Sequence, residues 1–434
     1  MQVLFNSHFW PLALFFAALS ALMTFGLAMT RETRESRSRY RDQDEKPAKS
    51  PMSRAIKVAI WCFVIDLILQ RFNLYVFQPS FTGSFFGYFS PMFLAMVPAA
   101  IFGCVAAEGA KKAVLATVGA GVLLLGWPLV QYMGSTMGAG NAKLFASIPQ
   151  VTTASADATI PPTDEQHIVR VTPDMAMFSA RQALSSKGNY STRYAIGDMT
   201  LQAIKGHRYY AAPLVPTNFN DTFWGPLWGN NSESPGFVLV DAEHDKAPVE
   251  LHDEFHITLF NGGAFGMKLS RFAYQAGYTN GSLENAAFEV DDELKPHWTL
   301  TYITPAVGNI AGSKIEKVLV IDVASAQPVL HAYNQGDAAI KWVDRVVSGD
   351  LVREYAKDWG LWGSDYALNN WFSVWAGFDK SNTMAPADGA EGLMLSYTKG
   401  EHNVWVVPMT SRNSTDHGVI GVLVFETDEN KATF

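Results

Sequence analysis

Cysteine is almost missing from this chain. Only Cys62 and Cys104 occur in 434 residues. Residues 134–434 hold none, which excludes a disulfide framework and a thiolate metal site from that part. Nucleotide-binding motifs are absent too. The stretch GNIAGSK (308–314) has the wrong spacing for a phosphate-binding loop, and FNGGAFG (260–266) is not a dinucleotide fingerprint. There is no GxSxG elbow, and no nucleophile–base pair follows from spacing. No catalytic residue and no cofactor is therefore expected. Nor is there an excess of positive charge: 33 Lys/Arg stand against 41 Asp/Glu, a net of −8. Nucleic-acid binding rests on phosphate neutralisation, so it is disfavoured.

The charge that is present is unevenly spread. Residues 1–133 carry 12 basic and 7 acidic side chains, a net of +5; the remainder carries 21 and 34, a net of −13. The first part also holds four apolar runs: Phe9–Met29, Ala55–Phe77, about Tyr88–Ala107, and Ala113–Met133. About 20 apolar residues suffice to cross a bilayer. These runs predict a four-helix transmembrane domain over 1–133. No charge precedes the first run, so it reads as a retained helix and not as a cleaved leader. The loop 30–57 carries nine Lys/Arg, the turn Glu108–Lys112 carries two, and Gln78–Gly87 carries none. By the positive-inside rule the basic loop is cytoplasmic, and both the N-terminus and the C-terminal domain lie outside an inner or plasma membrane.

The run Ala55–Phe77 contains Asp66, Gln70 and Arg71. Asp66 and Gln70 are four apart and share a helix face. A bare carboxylate at membrane depth is costly, so it must be paired, protonated or facing water. The favoured reading is contact between helices; the alternative is an ion path. Small-residue faces such as Gly103 with Ala107 and Ala116 with Ala120 suit close helix packing. The expected partners are membrane lipid and a second copy or another membrane protein.

Residues 134–165 are rich in Gly, Ala, Ser, Thr and Pro and read as a flexible linker. From 166 to 434 an α+β domain is expected, in three repeats at about 166–255, 256–335 and 336–434. Each repeat pairs an aromatic strand ending near proline with a Val-rich strand ending in an acid. The pairs are GHRYYAAPL with GFVLVDAE, PHWTLTYITP with EKVLVIDVASAQPV, and EHNVWVVPM with GVIGVLVFETDEN. Helices are expected from Thr172-Pro-Asp-Met to about Lys187, over Ala264–Tyr274, and over Gly336–Trp359 with a break at Gly349.

An alanine-rich amphipathic helix, an aromatic strand and the strand VLVDAEHDKAPV make Thr172–His252 resemble PepSY and cystatin-like α+β modules. Phe288–Val329 and Glu391–Glu429 resemble them more loosely. The resemblance implies a binding, inhibitory or scaffolding role in a cell envelope, without catalysis. The insertion at 215–235, with Phe223, Trp224 and Trp228, departs from a minimal module.

Three further clusters carry candidate chemistry. His252 and His256 lie four apart, a metal spacing on a helix, but HITLF reads as strand, where that spacing spans about 13 Å. Asp291 and Asp292, within Glu289–Glu293, offer oxygen ligands but lack the glycine and distal glutamate of a calcium loop. Both are weak metal candidates beside structural or turn roles. Trp359, Trp362, Trp371 and Trp375, with Tyr366 and Phe372, form the densest aromatic stretch, either core or interaction surface. The sequence therefore points to a non-catalytic envelope membrane protein acting in assembly, scaffolding or binding. The alternatives are a channel or transporter subunit using Asp66 and Arg71, and a metal-dependent envelope enzyme.

Overall fold

The computed structural model describes a few residues between 13 and 25, then 51–76, 78, 133–154, 165–225, 232–387, 394–397, 403–413 and 418–434. Residues 136, 166, 219, 245, 309, 310 and 326 within these ranges are excepted. The chain divides into two compact units, Met1–Met133 and Gly134–Phe434.

In the first unit, α1 runs over Pro51–Val76. It overturns the expected architecture. No helix among the described residues is long and apolar enough to cross a membrane. The four-transmembrane fold class, the multi-pass assignment and the placement in an inner or plasma membrane are corrected accordingly. The physical reason is visible in α1. It is 26 residues long, but its longest unbroken apolar run is Val58–Ile65. Asp66, Gln70, Arg71 and Asn73 then interrupt it, well short of the ~20 apolar residues a span requires. Asp66 and Gln70 are buried, with the Gln70 amide donating to Asp66 Oδ1 at 3.5 Å, and Cys62 lies 3.2 Å from Ser20 Oγ. The spans expected at Tyr88–Ala107 and Ala113–Met133, the basic loop at 30–50 and most of Phe9–Met29 lie outside the described residues.

The second unit begins with α2 (Ala139–Ser147) and β1 (Gln150–Thr152). Part of the stretch expected as a linker is thus built into the fold. Next come α3 (Pro173–Ser186), α4 (Tyr190–Arg193), β2 (Tyr194–Ile196), β3 (Thr200–Ile204), β4 (His207–Pro216), β5 (Phe237–Asp241) and β6 (Val249–His252). Then follow α5 (Leu269–Gln275), β7 (Ser282–Val290), β8 (Pro296–Val307), β9 (Ala311–Asp322) and β10 (Val329–Tyr333). The last part holds α6 (Gly349–Trp362), α7 (Asp365–Asn369), α8 (Trp371–Trp375), β11 (Met384–Pro386), β12 (Met394–Tyr397), β13 (Asn403–Ser411), β14 (Val419–Glu426) and β15 (Lys431–Thr433).

The strands form three sheets. One has the order β2-β4-β5-β6 with β3 also on β4, one is β10-β9-β8-β7, and one is β1-β15-β14-β13-β11 with β12 on β13. Each aromatic strand pairs antiparallel with its Val-rich follower: Tyr210 faces Val240, Trp298 faces Ile321, and Trp405 faces Phe425. The remaining long-range closure is parallel, β1 against β15, which ties residue 150 to residue 431.

Helix α3 forms as its sequence dictates. The Thr172 hydroxyl accepts the Met175 N–H at 3.3 Å, Pro173 opens the first turn, and Gly188 leaves it at φ +63°. Its face of Ala176, Ala180 and Leu184 packs on Tyr210, Ala212, Leu214, Val238 and Val240. The opposite face of the same sheet, with Ala211, Phe237 and Leu239, meets Phe288, Trp298, Leu300 and Ile321 of the second sheet. That explains why VLV in β5 is buried at every position and does not alternate. Helix α6 lies between Ile303 and Ile315 of the second sheet and Val407, Met409, Leu423 and Phe425 of the third.

The helix expected from Gly336 is realised only beyond Gly349, where Ser348 caps α6 by accepting the Leu351 N–H at 3.2 Å. Over 336–348 there is one short 3₁₀ turn, Ala338–Ile340. Ile340, Val343 and Val346 are still buried, against Val318 and Val320. What opposes helix here is Asp344, whose carboxylate is taken by the Ala203 N–H and, at 3.0 Å, by the Asn403 amide.

Candidate functional site

The residues singled out in the sequence do not converge. His252 ends β6, stacks on Phe237 with ring centroids 4.8 Å apart, and lies 3.6 Å from Glu250. His256 lies in the following loop and pairs with Glu233 at 3.0 Å. The two imidazoles serve separate contacts. Asp291 organises a turn: its Oδ1 accepts from Glu293 N at 3.0 Å and Lys295 N at 2.8 Å, and its Oδ2 lies 3.1 Å from His297 Nε2. Asp292 accepts the Lys205 N–H at 2.9 Å. These acids are occupied in fixing backbone.

The aromatic stretch divides. Trp362 is buried with Ala142, Ala367 and Val374, and Trp371 packs against that group. Trp359 packs on Phe434 with centroids 4.9 Å apart. Trp375 is 40% exposed, Phe372 54% and Phe378 82%. The short helix α8 therefore turns one side into the core and presents the other as a ridge of rings. Residues 371–378, WFSVWAGF, carry no charge. Beside them the Ser381 N–H, at 2.8 Å, and then the Tyr366 hydroxyl, at 2.7 Å, donate to Asp379 and hold its carboxyl below the usual range.

Among the described residues, one group of His and acid side chains meets at ligand distance: His167, His207 and Glu243. His207 opens β4 directly after the two-residue turn Lys205–Gly206, both at positive φ (51° and 84°), the twist a tight hairpin requires. Glu243 follows β5; the β4–β5 ladder continues through Ala242 N to Arg208 O at 2.9 Å. His167 comes from the segment before α3, which is tied down by Arg170 N and Val171 N on Ala242 O, at 2.8 and 3.1 Å. Glu243 is little exposed. Its Oε1 accepts the Arg208 N–H at 2.7 Å and lies 3.1 Å from His167 Nδ1; its Oε2 lies 3.3 Å from His207 Nδ1. The imidazoles meet edge to face, centroids 5.0 Å apart. Burial opposes ionisation of Glu243, but the Arg208 N–H and the two imidazoles outweigh it and hold the carboxyl below its ordinary value.

None of these three residues was nominated from the sequence. The signal for two of them was present. Tyr209 pairs with Asp241, so extending the register by two places His207 beside Glu243. Nothing local announces His167.

A second polar group is fully enclosed. Glu289, Asp344 and Arg208 are all buried. Burial first, then the charge of Asp344, pushes Glu289 up to about 8, with Arg345 pulling the other way. Burial pushes Asp344 up to about 6, against the Ala203 N–H, Arg208, Arg345 and Asn403. This group joins the three sheets from within.

The chain matches no family model, no curated protein and no solved structure.

Proposed function

We propose that this chain is a non-catalytic binding component that assembles with further copies of itself. The observation that carries the reading is the uncharged ring ridge of Phe372, Trp375 and Phe378, exposed beside a core that buries Trp362 and Val374. Exposed aromatics clustered in this way anchor protein interfaces, and the same ridge on two copies can pair about a two-fold axis. The sequence supports the absence of catalysis, since it holds no nucleophile elbow and no phosphate-binding loop. The helix-plus-sheet arrangement of α3 with β3–β6 supports the PepSY-like reading of 172–252 and the binding role it implies.

The test is light scattering of the full-length protein beside a Trp375→Ser/Phe378→Ser double variant. The expected result is an oligomer that the double variant shifts to monomer at equal concentration, with unchanged circular dichroism. A wild-type monomer at all concentrations, or an oligomer indifferent to the substitutions, overturns the reading.

A further inference from the structure

We propose that His167, His207 and Glu243 form a binding site for a divalent transition metal of the zinc class. Three separate segments supply the ligands, and each is fixed by backbone bonds independent of the side chains. The Lys205–Gly206 turn sets His207, the ladder through Ala242 sets Glu243, and two N–H bonds to Ala242 O set the segment after His167. A site assembled this way is present before the ion arrives, which keeps the ordering cost of binding low.

The distances suit coordination, and what sets this group apart from the paired histidines elsewhere is that two imidazoles converge on one carboxylate. Zinc bonds of about 2.0 Å to nitrogen and oxygen at tetrahedral angles put neighbouring donor atoms about 3.3 Å apart. His167 Nδ1 and His207 Nδ1 lie 3.1 and 3.3 Å from the Glu243 oxygens, and one ligand atom from each residue falls within 4.8 Å of the others. Both imidazoles turn the same nitrogen, Nδ1, toward one carboxylate. Two nitrogens and one oxygen are a borderline-soft set, which favours zinc, cobalt or nickel over magnesium or calcium. The Arg208 N–H on Glu243 Oε1 acts as the outer contact that orients the acid ligand. His207 is more than half exposed, so water can reach the remaining coordination position. A bound ion would fasten the segment leading into α3 to the β4–β5 hairpin. This proposal stands apart from the aromatic ridge and does not depend on it.

The test uses chelator-treated full-length protein titrated with Co²⁺, followed by visible absorption, and then with Zn²⁺ in competition. Expected are one tetrahedral-type cobalt equivalent per chain, displacement by Zn²⁺ but not by Mg²⁺, and a Zn²⁺-dependent rise in melting temperature. His207→Ala should weaken binding at least tenfold, and His256→Ala should leave it unchanged. Should His207→Ala lose its circular dichroism signature, His167→Gln takes its place with the same expectation. Absence of stoichiometric binding, or binding at wild-type strength in the folded ligand variant, overturns the proposal.

Discussion

Gln202 grips the backbone of Val290 from both sides. Its Nε2 donates to Val290 O at 3.3 Å, and its Oε1 accepts Val290 N–H at 3.0 Å. Val290 ends β7, the edge of the second sheet, where the outward N–H and C=O have no strand to pair with. The side-chain amide of β3 takes the place of that strand, and it is fully buried.

Replacing Gln202 by Leu should therefore leave two buried backbone groups without partners. Each such loss costs about 1–3 kcal/mol, so a destabilisation of about 2–4 kcal/mol is expected. Urea denaturation measures it. A change below about 0.5 kcal/mol would show that water or a shift of β7 replaces both bonds.

Glu289 makes stability depend on pH. Its folded carboxyl titrates near 8, whereas the ordinary value is 4.5. Between those values the folded state holds a proton that the unfolded state has released. The wild type consequently loses stability as pH rises through this window, and the loss is complete above about 8. Glu289→Gln keeps the neutral form at every pH. Its stability relative to wild type should grow by roughly 2–4 kcal/mol from pH 5 to pH 8. Asp344 titrates in both proteins and leaves this difference largely intact. Parallel pH profiles for the two proteins would count against a protonated Glu289.

The aromatic stretch should respond in two opposite ways. Trp362→Ala removes a buried ring and should cost about 3–5 kcal/mol. Phe378→Ser, at a site 82% exposed, should change stability by less than about 0.5 kcal/mol when both proteins are compared as monomers at low concentration. Thermal melts of the two single variants check this. Equal losses would mean that the Phe378 ring is covered in the folded protein.

Strand partners were legible because the information is local. An aromatic, β-branched run such as HWTLTYIT can only bury itself as a strand, and the nearest Val-rich run is its antiparallel neighbour. The cap at Thr172 was legible for the same reason, since capping is settled within three or four residues, whereas the helix expected from Gly336 starts only at Gly349 under a Ser348 cap. The first unit shows where such reading misleads. Apolar composition around Ala55–Phe77 suggested a membrane span, yet the run is broken at Asp66, and the carboxylate finds Gln70 and burial.

By itself, then, the sequence determined the three pairs of aromatic and Val-rich strands and the start of α3, while HITLF, which reads as strand, carries only isolated bridges. Those properties depend on neighbours a few residues apart and on composition. Only the tertiary structure decided that His167, His207 and Glu243 meet, that Gln202 closes the edge of β7, and that Glu289 is sealed beside Asp344. Each of these joins residues from 36 to 88 positions apart or sets a carboxyl's charge by burial. Such effects exist only once the sheets have stacked and water has been excluded between them.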